Sequence, residues 1–195
     1  MKLHLDDIVD LRAYERERDG FRRHVIDLKR RRRVEVGPLV SVVFENRDTV
    51  RFQVQEMARA ERMLTDAAIQ AELDVYNPLI PEPGELSATM FLELTTPAEL
   101  REWLPKLVGI ERAVALRVGA TTVPAGVDAA HAEQLTRDGL TASVHYLRWS
   151  LGPDEVAAWA DGPVALVVDH PAYRHAAALS QAAREELLGD LVRGG

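Results

Sequence analysis

The sequence predicts an α+β protein built on duplicated β-α-β units that form a ferredoxin-like antiparallel or mixed sheet. An N-terminal helical region with a hairpin precedes the units, and a long C-terminal helix follows them. Three observations predict it. ATMFLELTTPAELREW (88–103) matches VHYLRWSLGPDEVAAW (144–159) without a gap at an offset of 56, and VALRV (114–118) matches VALVV (164–168) at an offset of 50. Each copy reads strand, short capped helix, strand: Thr96 and Glu99 form a capping box behind Pro97, and Gly152, Pro153 and Glu155 take the same places. Tandem β-α-β units with right-handed crossovers suit a split β-α-β fold, in which both helices cover one face of a four-stranded sheet. The alternative is two β-α-β units side by side in a more open mixed sheet.

From the start of the chain, Asp6 or Asp7 caps a helix running to about Arg18. After Asp19 and Gly20, the spacing Phe21, Val25, Leu28 continues as a second amphipathic helix. The cations Lys29 to Arg33 close it at the negative end of the helix dipole, or form an anion or nucleic-acid patch. RVEVGPLVSVVFEN then gives strands Val34–Val36 and Leu39–Phe44, turning at Gly37 and Pro38. A long helix over 47–64 follows. Asn77, Pro78, Pro81, Pro83 and Gly84 end helical structure and mark the boundary between an N-terminal region, 1–80, and the duplicated region, 85–195. Between the copies a helix is expected over 129–135, capped by Asp128, and a final Ala- and Leu-rich helix runs from Pro171 to Val192.

Composition narrows the function classes. The 195 residues are 47% hydrophobic and contain no Cys, which excludes disulfides, thiol nucleophiles and thiolate-ligated clusters. No apolar run reaches the roughly 20 residues of a membrane helix, and MKLHLDDIVDL is too acidic for a signal peptide, so a cytoplasmic protein is expected. The net charge of −7 divides into +3 over residues 1–62 and −10 over the remainder. An acidic chain is a poor nonspecific ligand for nucleic acid. No GxGxxG, Gly-Lys-Ser/Thr, GxSxG, HExxH or Glu-x-x-His pattern occurs.

Two constellations remain. On the helix over 47–64, projected at 100° per residue, Val50, Val54, Met57 and Leu64 form an apolar stripe with Glu61 inside it and Gln53 at its edge. Arg51, Gln55, Arg59 and Arg62 gather on a separate polar face, while Phe52 and Met63 make a second apolar patch beside Glu56. Such a helix is wedged between layers. An inward Glu61 either meets an internal Arg or belongs to a ligand or metal site. On the strands, Thr89, Phe91 and Glu93 share one face and His145, Leu147 and Trp149 the equivalent face of the second copy, so Glu93 and His145 are expected to approach across the sheet. Asp169, His170 and His175 form a looser set that helix capping by Asp169 explains.

The segments FENRDTVRFQVQEMARAER (44–62), ELDVYNPLIP (72–81) and SVHYLRW (143–149), in this order, resemble the bacterial family DUF3501. The resemblance covers Lys29 to about Leu151. It carries no activity or catalytic residues, and implies an accessory role beside rubrerythrin-like and iron-sulfur redox proteins. The leading expectation is a non-enzymatic protein that binds a redox partner or a small anionic ligand through Arg47, Arg51, Gln55, Arg59 and Arg62 and the adjoining Tyr76 and Asn77. The second is an enzyme or metalloprotein holding Fe, Mn or Zn with Glu56, Glu61, Glu93 and His145. The third, nucleic-acid binding through Arg30 to Arg33, lacks the aromatic pattern of an RNA-recognition motif.

Overall fold

The computed structural model describes residues 1–127 and 139–195, so the helix expected over 129–135 lies outside the described residues. Among them are six α-helices and two antiparallel sheets, a mixed α+β fold. In chain order the elements are α1 (Leu11–Arg32), β1 (Arg33–Val36), β2 (Val40–Phe44), α2 (Arg47–Glu61), α3 (Asp66–Tyr76), β3 (Glu85–Leu92), α4 (Pro97–Lys106), β4 (Val114–Val118), β5 (Thr121–Pro124), β6 (Val144–Ser150), α5 (Pro153–Asp161), β7 (Val164–His170), β8 (Tyr173–Ala178) and α6 (Gln181–Arg193).

The strands of the two matched segments do not merge into one ferredoxin-like sheet. The first sheet has the order β1-β2-β3-β6 and the second β5-β4-β7-β8. The corresponding strands are neighbours: β3 pairs with β6 through Met90↔His145, and β4 with β7 through Leu116↔Leu166. Each strand-helix-strand segment therefore sends its first strand to one sheet and its second to the other. Both sheets turn an apolar face inward, and Val42, Ala88, Leu147, Leu116 and Leu166 belong to one core that α6 joins through Leu187 and Leu191. Each sheet thereby covers the apolar face of the other, so both inner faces leave water together.

The hairpin β1-β2 forms as its sequence requires, with Gly37 at φ 70° in the turn. A Cβ there would lie 2.5 Å from the Tyr173 hydroxyl and from the His175 ring, so glycine is needed for both conformation and space. The Tyr173 hydroxyl accepts from Leu39 N at 3.0 Å and donates to Val36 O at 2.6 Å, tying β8 to this turn. Because β2 pairs with β3, the break at residues 80–85 separates segments that share one sheet and one core.

Three helical expectations change. α1 is continuous through Gly20 and is capped by Asp10 rather than Asp6 or Asp7. A mid-helix glycine costs about 1 kcal/mol, and burial of Tyr14, Val25 and Leu28 along one stripe outweighs it. α2 stops at Glu61 because Arg62 turns left-handed (φ 53°), and Thr65 then caps the separate α3. The expected helix over 171–192 is a strand, β8, followed by α6 capped by Ser180. Pairing along β7 overrides the helical preference of its three alanines.

The outer face of the first sheet is polar. Across the strands run the rows Arg33, Val43, Thr89, Tyr146 and Glu35, Ser41, Phe91, Val144. Helices α1 to α3 lie over this face, with a second small core of Leu3, Val50, Val54, Leu73 and Ile80 between them and the N-terminal segment. No described helix is long and apolar enough to cross a membrane.

Candidate functional site

Between this polar face and the helices lies a cavity of about 180 Å³. The sheet contributes Thr89, Phe91, Val144 and Tyr146, α2 contributes Thr49, Val50 and Gln53, and α1 contributes Lys29. Tyr76 and Leu79, at the end of α3 and in the NPL turn, close another wall. The turn is anchored over the sheet because Leu79 O accepts from Ser87 Oγ and Pro78 O accepts from the Arg148 guanidinium.

Glu45, 8% exposed, lines the cavity from the short link between β2 and α2. Its carboxylate accepts from the Thr89 hydroxyl at 2.6 Å and the Thr49 hydroxyl at 2.5 Å. Bonds this short are typical of hydroxyls donating to a charged oxygen. Among the described residues no cationic side chain lies within 4.0 Å of it. The Arg32 guanidinium reaches the Glu45 backbone carbonyl (3.0 Å) and not its side chain. Burial first, then Tyr76 and Glu45, push the Tyr146 phenol above its ordinary value, so it remains a protonated hydroxyl.

The opposite case is Arg32, which the sequence places in a terminal cation run. It is wholly buried, donates to Phe44 O at 2.9 Å, and pairs with Asp190 and with Glu186. Burial of Asp190 raises its carboxyl against the lowering pull of Arg32. Arg31 pairs with Glu186, and the half-buried Lys29 and the exposed Arg30 and Arg33 line an open depression that shares Lys29 with the cavity.

The residues singled out from sequence are dispersed. Arg47 pairs with Asp7, whose carboxyl is held low by a backbone bond from His4 and then by Arg47. Arg51 donates to Asp7 O and Glu17, both at 2.9 Å, and sits 4.7 Å over the Phe21 ring. Gln55 is fully buried and exchanges two bonds with the Val9 backbone, and Arg59 pairs with Glu15. Arg62 is exposed in the left-handed turn. These side chains fasten α1 and the N-terminal segment to α2. Asn77 likewise ties the Leu3 backbone at 2.8 and 2.9 Å, while Tyr76 lines the cavity.

The four suggested metal ligands do not converge. Glu56 takes a two-pronged Arg18 at 2.8 Å and the Tyr14 hydroxyl at 2.7 Å; Arg18 holds its carboxyl below the ordinary range, and burial and that bond push the Tyr14 phenol up. Glu61 is exposed, because the helix that would have turned it inward ends there and Leu64 is 83% exposed beyond it. Glu93 meets Ser41 and Arg33 on the outer face. His145 points the other way: cross-strand partners share a face, and its partner is the core residue Met90. There its Nε2 donates to Ala142 O at 2.9 Å, with Glu111 4.0 Å from Nδ1. Asp169, His170 and His175 belong to the β7-β8 hairpin, where Asp169 pairs with Arg174. Among the described residues no three His, Asp or Glu side chains form a metal-binding group.

Sequence reasoning missed Glu45, Lys29 and Tyr146 as a set. The signal was present in the alternation Ser41, Val43, Glu45, which carries a carboxylate to the end of a fully buried strand.

The fold and cavity define a two-sheet α+β protein with a small polar chamber under its helices. The chain belongs to DUF3501, a family described as a protein of unknown function, which matches residues 2–191. A crystal structure of a novel protein of unknown function from Burkholderia pseudomallei K96243 is 38% identical, with a TM-score of 0.89, over 98% of this chain and 100% of that one. No functionally curated protein matches the chain.

Proposed function

We propose that the protein binds a small molecule in the chamber between the first sheet and helices α1 to α3. The observation that supports this most is the Glu45 carboxylate, buried in the lining of a concave site and held by two hydroxyls with no described cation beside it. Burying a carboxylate without a counter-charge is costly, and a ligand that completes its bonding offsets that cost. A chamber of about 180 Å³ is smaller than the roughly 300–1,000 Å³ of drug-sized sites. At about 30 Å³ per water it admits some six waters or a comparably small solute. Polar side chains reach the chamber from α1, α2, α3, β3 and β6 as well as from the link that carries Glu45, which gives orientation as well as space.

Ligand-observed NMR against a mixed library of small anions, cations, zwitterions and neutral molecules tests this reading. Binders are expected with the wild-type protein and are lost in Val144→Trp, whose indole fills the chamber. A library with no binder in any charge class overturns it.

A further inference from the structure

We infer that the ligand is a small zwitterion, an amino acid or a betaine, seated with its ammonium group at Glu45 and its carboxylate toward Lys29. This inference rests on the reading of the chamber as a ligand site.

The charge layout carries it. Among the described residues Glu45 is the only carboxylate lining the chamber, and its bound hydroxyls fix it in place before any ligand arrives. A rigid buried carboxylate selects for a positive group and rejects a bare anion. Three aromatic rings, Tyr76, Phe91 and Tyr146, share the lining, and ring faces attract ammonium groups whether or not these carry hydrogens to donate. The Phe91 ring already accepts one cation, since the Arg33 guanidinium carbon lies 5.7 Å from its centroid. The Tyr146 phenol, kept protonated by burial, is a hydroxyl that adds no second negative charge.

The opposite sign comes from Lys29. Lys29 lines both the chamber and the adjoining depression, where Arg30, paired with Asp27, and Arg33, paired with Glu93, stand beside Glu35. A solute that carries both a positive and a negative group matches Glu45 and Lys29 at once. A simple amine satisfies only Glu45, and a simple carboxylate only Lys29. The volume agrees: a cavity of about 150 Å³ holds a six-carbon ring, so about 180 Å³ accommodates the few non-hydrogen atoms of β-alanine or glycine betaine.

Titration calorimetry with β-alanine, glycine betaine, propionate and propylamine tests the assignment. The two zwitterions are expected to bind wild type at least tenfold more tightly than either singly charged analogue. Glu45→Gln, which keeps the shape and can still bond both threonines, should weaken the zwitterions at least tenfold. Lys29→Met should weaken them several-fold and leave propylamine unchanged. Phe91→Leu provides a third arm if Glu45→Gln does not fold, and should weaken glycine betaine more than propionate. Propionate binding as tightly as β-alanine, or zwitterion affinity unchanged in the folded variants, overturns the assignment. If library members of another charge class bind and are lost in Val144→Trp, the zwitterion is wrong and the chamber stands. If nothing binds, both fall.

Discussion

The two faces of the first sheet are made by the same strands and do different work. Inward, Val42, Ala88, Met90, Leu147 and Trp149 are nearly inaccessible and merge with the second sheet. Outward, Ser41, Thr89, Tyr146 and Arg148 meet helices that do not close completely over them. A strand's period of two lets selection treat these faces independently. One face can be filled to the density of a crystal while the next residue along keeps a polar chamber open. The contrast recurs between two buried acids: Asp190 is answered by Arg32, whereas Glu45 is answered by neutral hydroxyls.

If the inner face supplies stability and the outer face supplies function, substitutions should separate them. Trp149→Ala removes a large core side chain packed 5.6 Å from Phe44 and should cost about 3–5 kcal/mol in urea unfolding. Arg32→Met strands Asp190 and should cost about 3 kcal/mol at neutral pH. Since the Asp190 carboxyl is already raised in the fold, that variant should regain stability as the pH is lowered and lose it as the pH rises. A loss independent of pH would show that Arg32 acts through its bonds to Phe44 and Glu45 carbonyls instead.

Smaller effects belong to the helical cover. Glu56→Gln should cost on the order of 1 kcal/mol at neutral pH, because its pair with Arg18 is only partly buried. Its folded carboxyl is lowered, so its contribution is complete above its ordinary value of 4.5 and disappears as the pH falls through the folded value. The acid limb of a melting-temperature profile should therefore flatten in this variant. Glu45→Gln should change stability least, within about 1 kcal/mol, since neutralising a buried carboxylate that lacks a counter-ion removes a desolvation cost. A large loss on thermal melting would make Glu45 a structural residue and erase the distinction between the faces.

Local features were legible in the sequence. The Gly37-Pro38 hairpin, the Thr96-Glu99 box and the helix opening at Pro153 depend on neighbours within a few residues, and all are present. The division of strands between two sheets was not legible, because alternation reports which residues face a core and not which strands share a sheet. Glu61 was misplaced for a related reason: the projection assumed helix to residue 64, and a non-glycine left-handed residue at 62 carries no strong sequence mark. His145 was assigned to the face of Glu93, although the register puts it opposite Met90. Of the residues lining the chamber, Tyr76 is named as a binding residue from sequence, through its loop. Glu45, Lys29 and Tyr146 come from distant elements and meet only after the helices fold over the sheet.

The ion pair between Arg32 and Asp190 joins residues 158 positions apart, and Tyr173 reaches back 137 positions to Val36. During synthesis at about 5–20 residues per second, roughly 8–30 s separate the emergence of the arginine from that of its partner. Early in that interval the β1-β2 segment precedes the strand and helix that secure it, and the second sheet that covers the underside of the first is still to be made. Until those elements follow, the nascent chain offers an apolar surface to chaperones, and α6 acts as its latch.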